Sequence, residues 1–231
     1  DLYVQTLRKR WVDGLIFATA GMESEHILEL KKDGFPVVLA VRDMEDLVDT
    51  VKIDNFKAAY EAMNYLIGKG YKRIAIINGK LELSVYNQRF EAYKKALRDA
   101  NLPIIEDLIV GDTYKGIGDK ASENGYAALK KLLKAGNKFD AVFATNDLRA
   151  IGAIRAIKDH GLKVPKDIAV MGFDDLEFSS LLDPPLTTVS QPLYQIGIRA
   201  VKRLLTVIEN KGNHKPHIEI LDTHLEIRES T

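Results

Sequence analysis

Polar side chains follow two predicted strands at positions where α/β proteins commonly bind ligands. Residues 145–147, Thr-Asn-Asp, come directly after the apolar run 141–144, and Asp174 with Asp175 follows the apolar run 168–173. In an open α/β sheet, ligands bind at the carboxyl ends of the strands. An amide offers both a donor and an acceptor, and a carboxylate accepts only, so both types suit the hydroxyl groups of a small polar ligand.

The adjacent carboxylates Asp174 and Asp175 could in principle form a general acid/base pair. Neighbouring residues after a strand usually point in different directions, however. The simpler interpretation is that one carboxylate faces a ligand and the other caps a helix. We therefore predict a binding role for Asp174 and no catalytic residue.

Other enzyme and cofactor signals are weak. Residues 116–121 fit G-x-G-x-x-A, but residues 111–115 separate that motif from the strand ending at Val110, and Asp140 precedes its strand instead of ending one. A dinucleotide site needs the first glycine directly after the strand, so a glycine-containing loop is the better interpretation. His214 and His217 lie in a Lys/Asn/Pro loop without carboxylate support, and there is no cysteine. We expect neither cofactor, metal nor catalysis.

Composition narrows the class further. The 231 residues are 46% hydrophobic, and 33 basic residues balance 33 acidic ones. This balance argues against a nucleic-acid-binding module within the segment. No apolar run approaches the roughly 18 residues that a membrane helix needs, and residues 1–10 lack the apolar region of a signal peptide. We expect a cytoplasmic protein with no membrane contact.

The elements that must position these side chains alternate along the chain. Apolar runs predict strands at 11–17, 36–41, 50–53, 73–77, 108–110, 141–144 and 168–173. Three-to-four-residue apolar spacing predicts helices at 23–32, 55–69, 85–98, 121–133, 148–157 and 193–208. Residues 218–227 alternate like a pair of edge strands. Alternation of this kind is typical of an α/β fold with parallel sheets and helices on both faces.

Seven segments carry a resemblance that spans nearly the whole chain in order. They are G-F-D-D-L-E-F-S-S-L-L-D-P-P-L-T-T-V-S-Q-P (172–192), V-D-G-L-I-F (12–17), D-N (54–55), G-Y-K-R-I-A-I-I-N-G (70–79), R-F-E-A-Y-K-K-A-L (89–97), F-A-T-N-D-L-R-A-I-G-A-I (143–154) and L-D-T-H-L-E-I-R-E-S (221–230). Together they resemble the lactose/galactose-repressor family of bacterial transcription regulators.

The resemblance implies a periplasmic-binding-protein-like fold of two doubly wound parallel-sheet lobes with three crossing segments. The implied N-terminal lobe is 1–52 plus 192–211, truncated at its front, and the implied C-terminal lobe is 53–191 plus 217–231. The family binds a small effector between its lobes. It reads DNA through an N-terminal domain that precedes these residues, so DNA is expected as a partner only through that absent part.

Four residues are the main site candidates. Arg89 matches a family arginine that reaches ligand hydroxyls, Asp174 matches a sugar-binding carboxylate, and Gln191 matches a family position near the ligand. Asn146 offers both the donor and the acceptor that a hydroxyl needs. Each has a plainer alternative: a surface helix arginine for Arg89, turn chemistry for Asp174, a helix cap for Asn146 and a structural hinge for Gln191.

Two further candidates depart from the family pattern or lie in an uncertain alignment. Arg42 follows a strand where many sugar-binding relatives have an Asp-Arg pair, but residue 41 here is valine, so one expected hydroxyl acceptor is missing. Tyr114 or Tyr86 could supply an aromatic face for a sugar or purine ring. A surface tyrosine is the alternative for each.

The resemblance as a whole implies the effector-sensing, dimerising core of a repressor-type regulator, with a sugar or sugar derivative as its ligand. Residues 176–182 and the helix at 148–157 resemble the family's homodimer contacts, with core packing as the alternative. A transport-associated sugar-binding protein of the same fold is the alternative function.

Overall fold

A computed structural model describes residues 12–18, 24–41, 44, 47–111, 120–210 and 215–231. Their helices are α1 (Ser24–Lys32), α2 (Asn55–Gly68), α3 (Ser84–Asp99), α4 (Ala121–Lys134), α5 (Asp147–Asp159) and α6 (Leu193–Glu209). Their strands are β1 (Leu15–Phe17), β2 (Val37–Ala40), β3 (Asp49–Ile53), β4 (Ile74–Ile77), β5 (Ile109–Val110), β6 (Ala141–Ala144), β7 (Ala169–Asp174), β8 (Thr187–Ser190), β9 (Ile218–Leu221) and β10 (His224–Glu226). The predicted alternation of strands and helices is confirmed.

The chain forms two compact units and passes between them three times. The first unit is Asp1–Asp54 with Pro192–Asp222, and the second is Asn55–Gln191 with Thr223–Thr231. The third passage differs from the expected one. Residues 217–222 were expected in the second lobe, but β9 pairs in parallel with β3, which places this segment in the first unit.

The first unit contains a parallel sheet in the order β1-β2-β3-β9. Ile27 and Leu30 of α1 pack with Val37 and Leu39 of β2 in its core. Continuous burial along β2 explains why that strand is an unbroken apolar run in the sequence.

Neither α6 nor another helix among the described residues is long and apolar enough to cross a membrane.

The second unit contains a sheet in the order β10-β8-β7-β6-β4-β5, in which only β10 runs antiparallel to its neighbour. The chain's last residues complete this sheet. Ser230 is fully buried, where its hydroxyl donates to Val170 O at 2.6 Å and accepts from Thr187 N at 2.8 Å. Residues 223–231 therefore belong to the second unit, and Ser230 lies in its core.

The expectation of an edge strand pair at 218–227 is wrong. Strands β9 and β10 both lie at sheet edges, but β9 pairs with β3 and β10 pairs with β8, in different units. Strand β8 was not predicted, because its Thr187 and Thr188 break the apolar pattern that marked the other strands. Both threonines are buried, and their hydroxyls have partners in Arg228 O and Asp147 Oδ1.

Two glycines allow α4 and α5 to pack closely. A Cβ atom on Gly125 would lie 2.1 Å from the carbonyl oxygen of Arg149, and one on Gly152 would lie 2.0 Å from that of Ser122. Both distances are to backbone atoms, which cannot rotate away as a side chain can.

The predicted apolar stripe on α5 is confirmed in part: Ile154 and Ile157 are buried, whereas the first two stripe positions, Leu148 and Ile151, are half-buried.

Candidate functional site

The carboxyl ends of four adjacent parallel strands meet along one edge of the second unit's sheet. The register pairs Ile77 with Ala144, and Asp174 with Ser190. The residues that end or follow these strands therefore lie side by side, in the sheet order β4, β6, β7 and β8: Asn78, Thr145, Asp174 and Gln191. We call this row the carboxyl edge.

Arg89 extends from α3 into the carboxyl edge. Its Nε donates to Asn55 Oδ1 at 2.9 Å and its Nη1 donates to Thr145 O at 2.6 Å. The guanidinium carbon lies 3.6 Å from the ring centre of Phe173, and the residue is 3% exposed. Burial lowers the pKa of Arg89, and the nearby carboxylate of Asp174 opposes that shift. The alternative of a surface helix arginine is wrong.

Asp174 ends β7 opposite this guanidinium. Its Oδ1 lies 3.7 Å from Nη1 of Arg89 and accepts a hydrogen bond from Gln191 Nε2 at 2.6 Å. Burial raises the pKa of Asp174 to about 7, against the opposing effect of Arg89. The backbone φ of 129° is a strained value for a residue with a side chain. Strained backbone of this kind persists where surrounding contacts hold it, often at ligand sites.

The neighbouring carboxylate has a structural partner. Asp175 Oδ1 accepts from Arg228 Nη2 at 2.7 Å. It was expected to cap a helix, but the short 3-10 helix Glu177–Leu181 that follows has no side-chain cap. Asp175 instead ties the end of β7 to the chain's last segment, because Arg228 also donates to Leu186 O at 2.8 Å.

Asn146 and Asp147, at the start of α5, accept hydrogen bonds from different partners. Asn146 Oδ1 accepts from Arg149 N at 2.8 Å, so the helix-cap alternative is confirmed for this oxygen. Asp147 is fully buried and accepts from Leu176 N, Ser179 Oγ and Thr188 Oγ1. A role for Asn146 in ligand binding stays a prediction and would use the amide nitrogen.

Two amides of the carboxyl edge have carbonyl oxygens without partners. Within the part of the chain that the structure describes, Asn78 Oδ1 and Gln191 Oε1 are buried and make no hydrogen bond. Gln191 was predicted from the family motifs, whereas Asn78 was missed. The signal for Asn78 was available, since it follows strand β4 directly, just as Thr145 follows β6.

Tyr86 and Arg149 extend the cluster on the β4 side. Arg149 is 1% exposed, its Nη1 donates to Tyr86 Oη at 3.2 Å, and its guanidinium lies 4.8 Å from the Tyr86 ring centre. The ring packs against Gly79, where an added Cβ would lie 2.3 Å from it. Tyr86 was considered as an aromatic face, but Arg149 was missed because it lies off the predicted apolar stripe.

The structure therefore brings together Arg89, Asn146, Asp174 and Gln191 from four separate parts of the sequence. Arg42 and Tyr114 lie outside the described residues.

In the predicted dimer segment 176–182, Leu181 is 78% exposed whereas Ser179 is buried. That segment combines a core contact with an exposed apolar side chain.

Known proteins share this architecture. Residues 63–231 match the family model of the periplasmic binding protein-like domain. The chain is 38% identical over 222 residues to catabolite control protein A of Priestia megaterium, an alignment that covers 95% of this chain and 65% of that protein. The chain thus spans less than two thirds of that relative.

Two solved structures share the fold and much of the length. The transcriptional regulator CelR in complex with cellobiose matches with a TM-score of 0.88 at 32% identity, over 98% of this chain and 68% of that one. A LacI family transcriptional regulator from Enterococcus faecium with bound ribose matches with a TM-score of 0.86 at 29% identity, over 99% and 83%.

Proposed function

Because the chain belongs to the lactose/galactose-repressor family, we propose that it is the effector-binding core of a transcription repressor and that its effector is a sugar or sugar derivative. The observation that carries this proposal is the pairing of Arg89 with Asp174 at the carboxyl edge, where a buried guanidinium lies 3.7 Å from a carboxylate oxygen. DNA would be read by a part of the protein outside these residues.

The chemistry of the carboxyl edge suits sugar hydroxyls. Each hydroxyl has one donor and two acceptor lone pairs, so it binds best between a cation that donates and a carboxylate that accepts. Arg89 and Asp174 supply that combination. Charge-assisted hydrogen bonds of this type are stronger than neutral ones. Relatives with bound cellobiose and bound ribose support a carbohydrate ligand.

The response would pass through the chain connections between the units. Gln191, which donates to Asp174, is the last residue before the chain enters the first unit at Pro192. A ligand that contacts Gln191 or Asp174 therefore acts directly beside one of the three connections. An effector that binds one conformation of the protein better than another shifts the equilibrium between them, with a coupling typically of about 1–3 kcal/mol.

A thermal-shift screen followed by calorimetry tests the proposal. The intact chain would be screened against glucose, galactose, ribose and cellobiose, and the compounds that raise its melting temperature would be titrated. Replacing Asp174 by Ala should cost roughly 1.5–3 kcal/mol of binding free energy, the scale of a hydrogen bond to a charged group. Asp107→Ala is the matched control, since Asp107 is exposed before β5 at the other edge of the sheet. Equal affinities for Asp174→Ala and the control would contradict the proposal.

We also propose that the protein is a homodimer through the surface around Leu181. Leu181 is 78% exposed beside the half-buried Leu182, so this surface offers an apolar side chain that a second copy of the chain would bury. Sedimentation velocity of the chain should show a dimer that Leu181→Glu shifts toward monomer. Glu177→Lys, a change of charge on the same short helix, should have a smaller effect. A monomeric parent protein would exclude this interface.

A further inference from the structure

Two carbonyl oxygens at the carboxyl edge are buried without a partner, which is costly for a folded protein. Asn78 is 3% exposed and Gln191 is 8% exposed. Their amide nitrogens are used: Asn78 Nδ2 donates to Tyr86 O at 3.4 Å and Gln191 Nε2 donates to Asp174 Oδ1 at 2.6 Å. Within the described residues their oxygens, Asn78 Oδ1 and Gln191 Oε1, accept nothing.

The orientation of each amide follows from what its nitrogen faces. A carbonyl oxygen and an ionised carboxylate accept hydrogen bonds only, so each must meet an NH₂ group. Tyr86 O therefore draws the amide nitrogen of Asn78, and Asp174 draws that of Gln191. The two unpartnered atoms are both acceptors, and they need a group that donates.

Both acceptors belong to the same row of strand ends. Asn78 follows β4 and Gln191 follows β8, and between these strands lie β6 and β7, which end at Thr145 and Asp174. The residues between the two acceptors therefore include those already proposed to contact the ligand. A ligand held by Arg89 and Asp174 would therefore have one residue with an unpartnered acceptor on each side.

Among the described residues at the carboxyl edge, buried cations and carboxylates are equal in number. The two buried cations, Arg89 and Arg149, accompany two carboxylates, Asp147 and Asp174. Arg89 directs Nε and Nη1 at protein oxygens, and Arg149 directs Nη1 at Tyr86 Oη. An added phosphate would bring two negative charges next to described residues that have no net positive charge and two unpartnered oxygens, and burying such charges unpaired is strongly unfavourable.

We propose that Asn78 and Gln191 are specificity-determining residues that accept hydrogen bonds from an uncharged, hydroxyl-rich ligand, and that the site discriminates against the phosphorylated form of the same sugar. This inference rests on the proposed function and narrows its ligand class. Hydroxyl groups donate to both oxygens at no cost in charge. Phosphate oxygens only accept, and they would face the two carbonyl oxygens without a hydrogen between them.

Matched pairs of compounds test the ligand class on the unmodified chain. Calorimetry would compare glucose with glucose 6-phosphate, ribose with ribose 5-phosphate and cellobiose with its 6-phosphate, with inorganic phosphate as a further probe. We expect an unphosphorylated sugar of this panel to bind at least tenfold more tightly than its phosphate. A phosphate ester that binds as tightly as its parent sugar, or more tightly, overturns the inference and leaves the proposed function standing.

Variants of Asn78 test the residue itself. Asn78→Leu keeps the size of the side chain but removes the acceptor, and should weaken binding of the same sugar about tenfold. Asn78→Asp keeps an acceptor oxygen and should retain more of the affinity. Asn137→Leu is the control, because Asn137 lies before β6 at the opposite edge of the sheet. Melting temperatures would establish that each variant is folded.

The possible outcomes distinguish failure of this inference from failure of the proposed function. Folded Asn78→Leu protein that binds the sugar as well as the control overturns the role of Asn78. Binding by none of the sugars or their phosphates overturns the proposed function and the inference together. Selective loss in Asn78→Leu, combined with rejection of the phosphates, supports both.

Discussion

Nη1 of Arg89 lies 3.7 Å from Oδ1 of Asp174, and the same nitrogen donates to Thr145 O at 2.6 Å. The guanidinium is thus anchored to the backbone of one strand end while it faces the carboxylate of the next. Because Nε also donates to Asn55 Oδ1, hydrogen bonds fix the position of the cation from two directions. A ligand would meet a fixed donor instead of a flexible surface side chain.

Replacement of Arg89 by lysine should weaken sugar binding by roughly tenfold or more. A lysine keeps the charge, but it has no planar fork that could contact both Asn55 Oδ1 and Thr145 O while lying on the Phe173 ring. Calorimetry with a sugar from the screen would measure the loss. Arg98→Lys is the control, since Arg98 is exposed near the end of the same helix. Equal affinity in both variants would show that Arg89 acts through its charge alone or not at all.

Sugar affinity should fall as the pH decreases through about 7. Burial raises the pKa of Asp174 to about 7, so the carboxylate that accepts a hydroxyl hydrogen is mostly ionised at pH 8 and mostly protonated at pH 6. If only the ionised form binds, the apparent Kd rises about tenfold between those values, in proportion to the lost competent fraction.

Asp174→Asn is the control for this pH dependence. An amide cannot titrate, so the variant should bind weakly but with nearly constant affinity from pH 6 to 8. Calorimetry at each pH, in buffers of matched ionic strength, gives both profiles. A flat profile for the parent protein would contradict the prediction that Asp174 loses its ionised, ligand-binding form between pH 8 and pH 6.

Removal of the Asp147 carboxylate should destabilise the second unit. Asp147→Ala would leave three donors without a partner in the core: Leu176 N, Ser179 Oγ and Thr188 Oγ1. We expect the free energy of unfolding to fall by about 2–4 kcal/mol, measured by urea denaturation followed by circular dichroism. Asp159→Ala removes an exposed carboxylate from the other end of α5 and should cost about 1 kcal/mol or less. Similar losses for both variants would contradict the structural role of Asp147.

Replacing glycine by alanine should destabilise the protein at position 152 and stabilise it at position 197. Gly152→Ala places a methyl group 2.0 Å from Ser122 O, so α4 and α5 must separate, and the melting temperature should fall by several degrees. Gly197→Ala meets no atom within 4 Å in α6 and should raise stability by about 0.5–1 kcal/mol through helix propensity. Thermal denaturation of the two variants compares them directly, and a loss at position 197 equal to that at 152 would contradict this explanation.

Local patterns predicted most elements because buried parallel strands form continuous apolar runs, as in β4 and β6. Strand β8 was missed because Thr187 and Thr188 satisfy their hydroxyls through partners far along the chain, including Asp147, which no local pattern reveals. The sheet membership of β9 failed for a related reason. Its pairing with β3 joins residues more than 160 positions apart.

The sequence pattern and the family resemblance predicted different residues of the site. The position of Asp174 and Asn146 after strands was visible in the sequence, while Arg89 and Gln191 were assigned through the family resemblance. Asn78 and Arg149 show what neither source supplied. The burial of a polar side chain, and whether its atoms find partners, depends on packing among α3, α5 and the sheet, which is a property of the assembled unit.

The route of the chain also sets the order in which the protein can mature during synthesis. Ser230 fills a buried position between β7 and β8, and β10 pairs with β8, yet these residues are made only after residues 192–222, which build part of the other unit. At ribosomal speeds of about 5–20 residues per second, the sheet that carries the ligand site waits roughly 2–8 s for its final strand. Until then β8 is an unpaired edge strand, so the nascent chain can mispair or bind a chaperone at the strand that precedes Gln191.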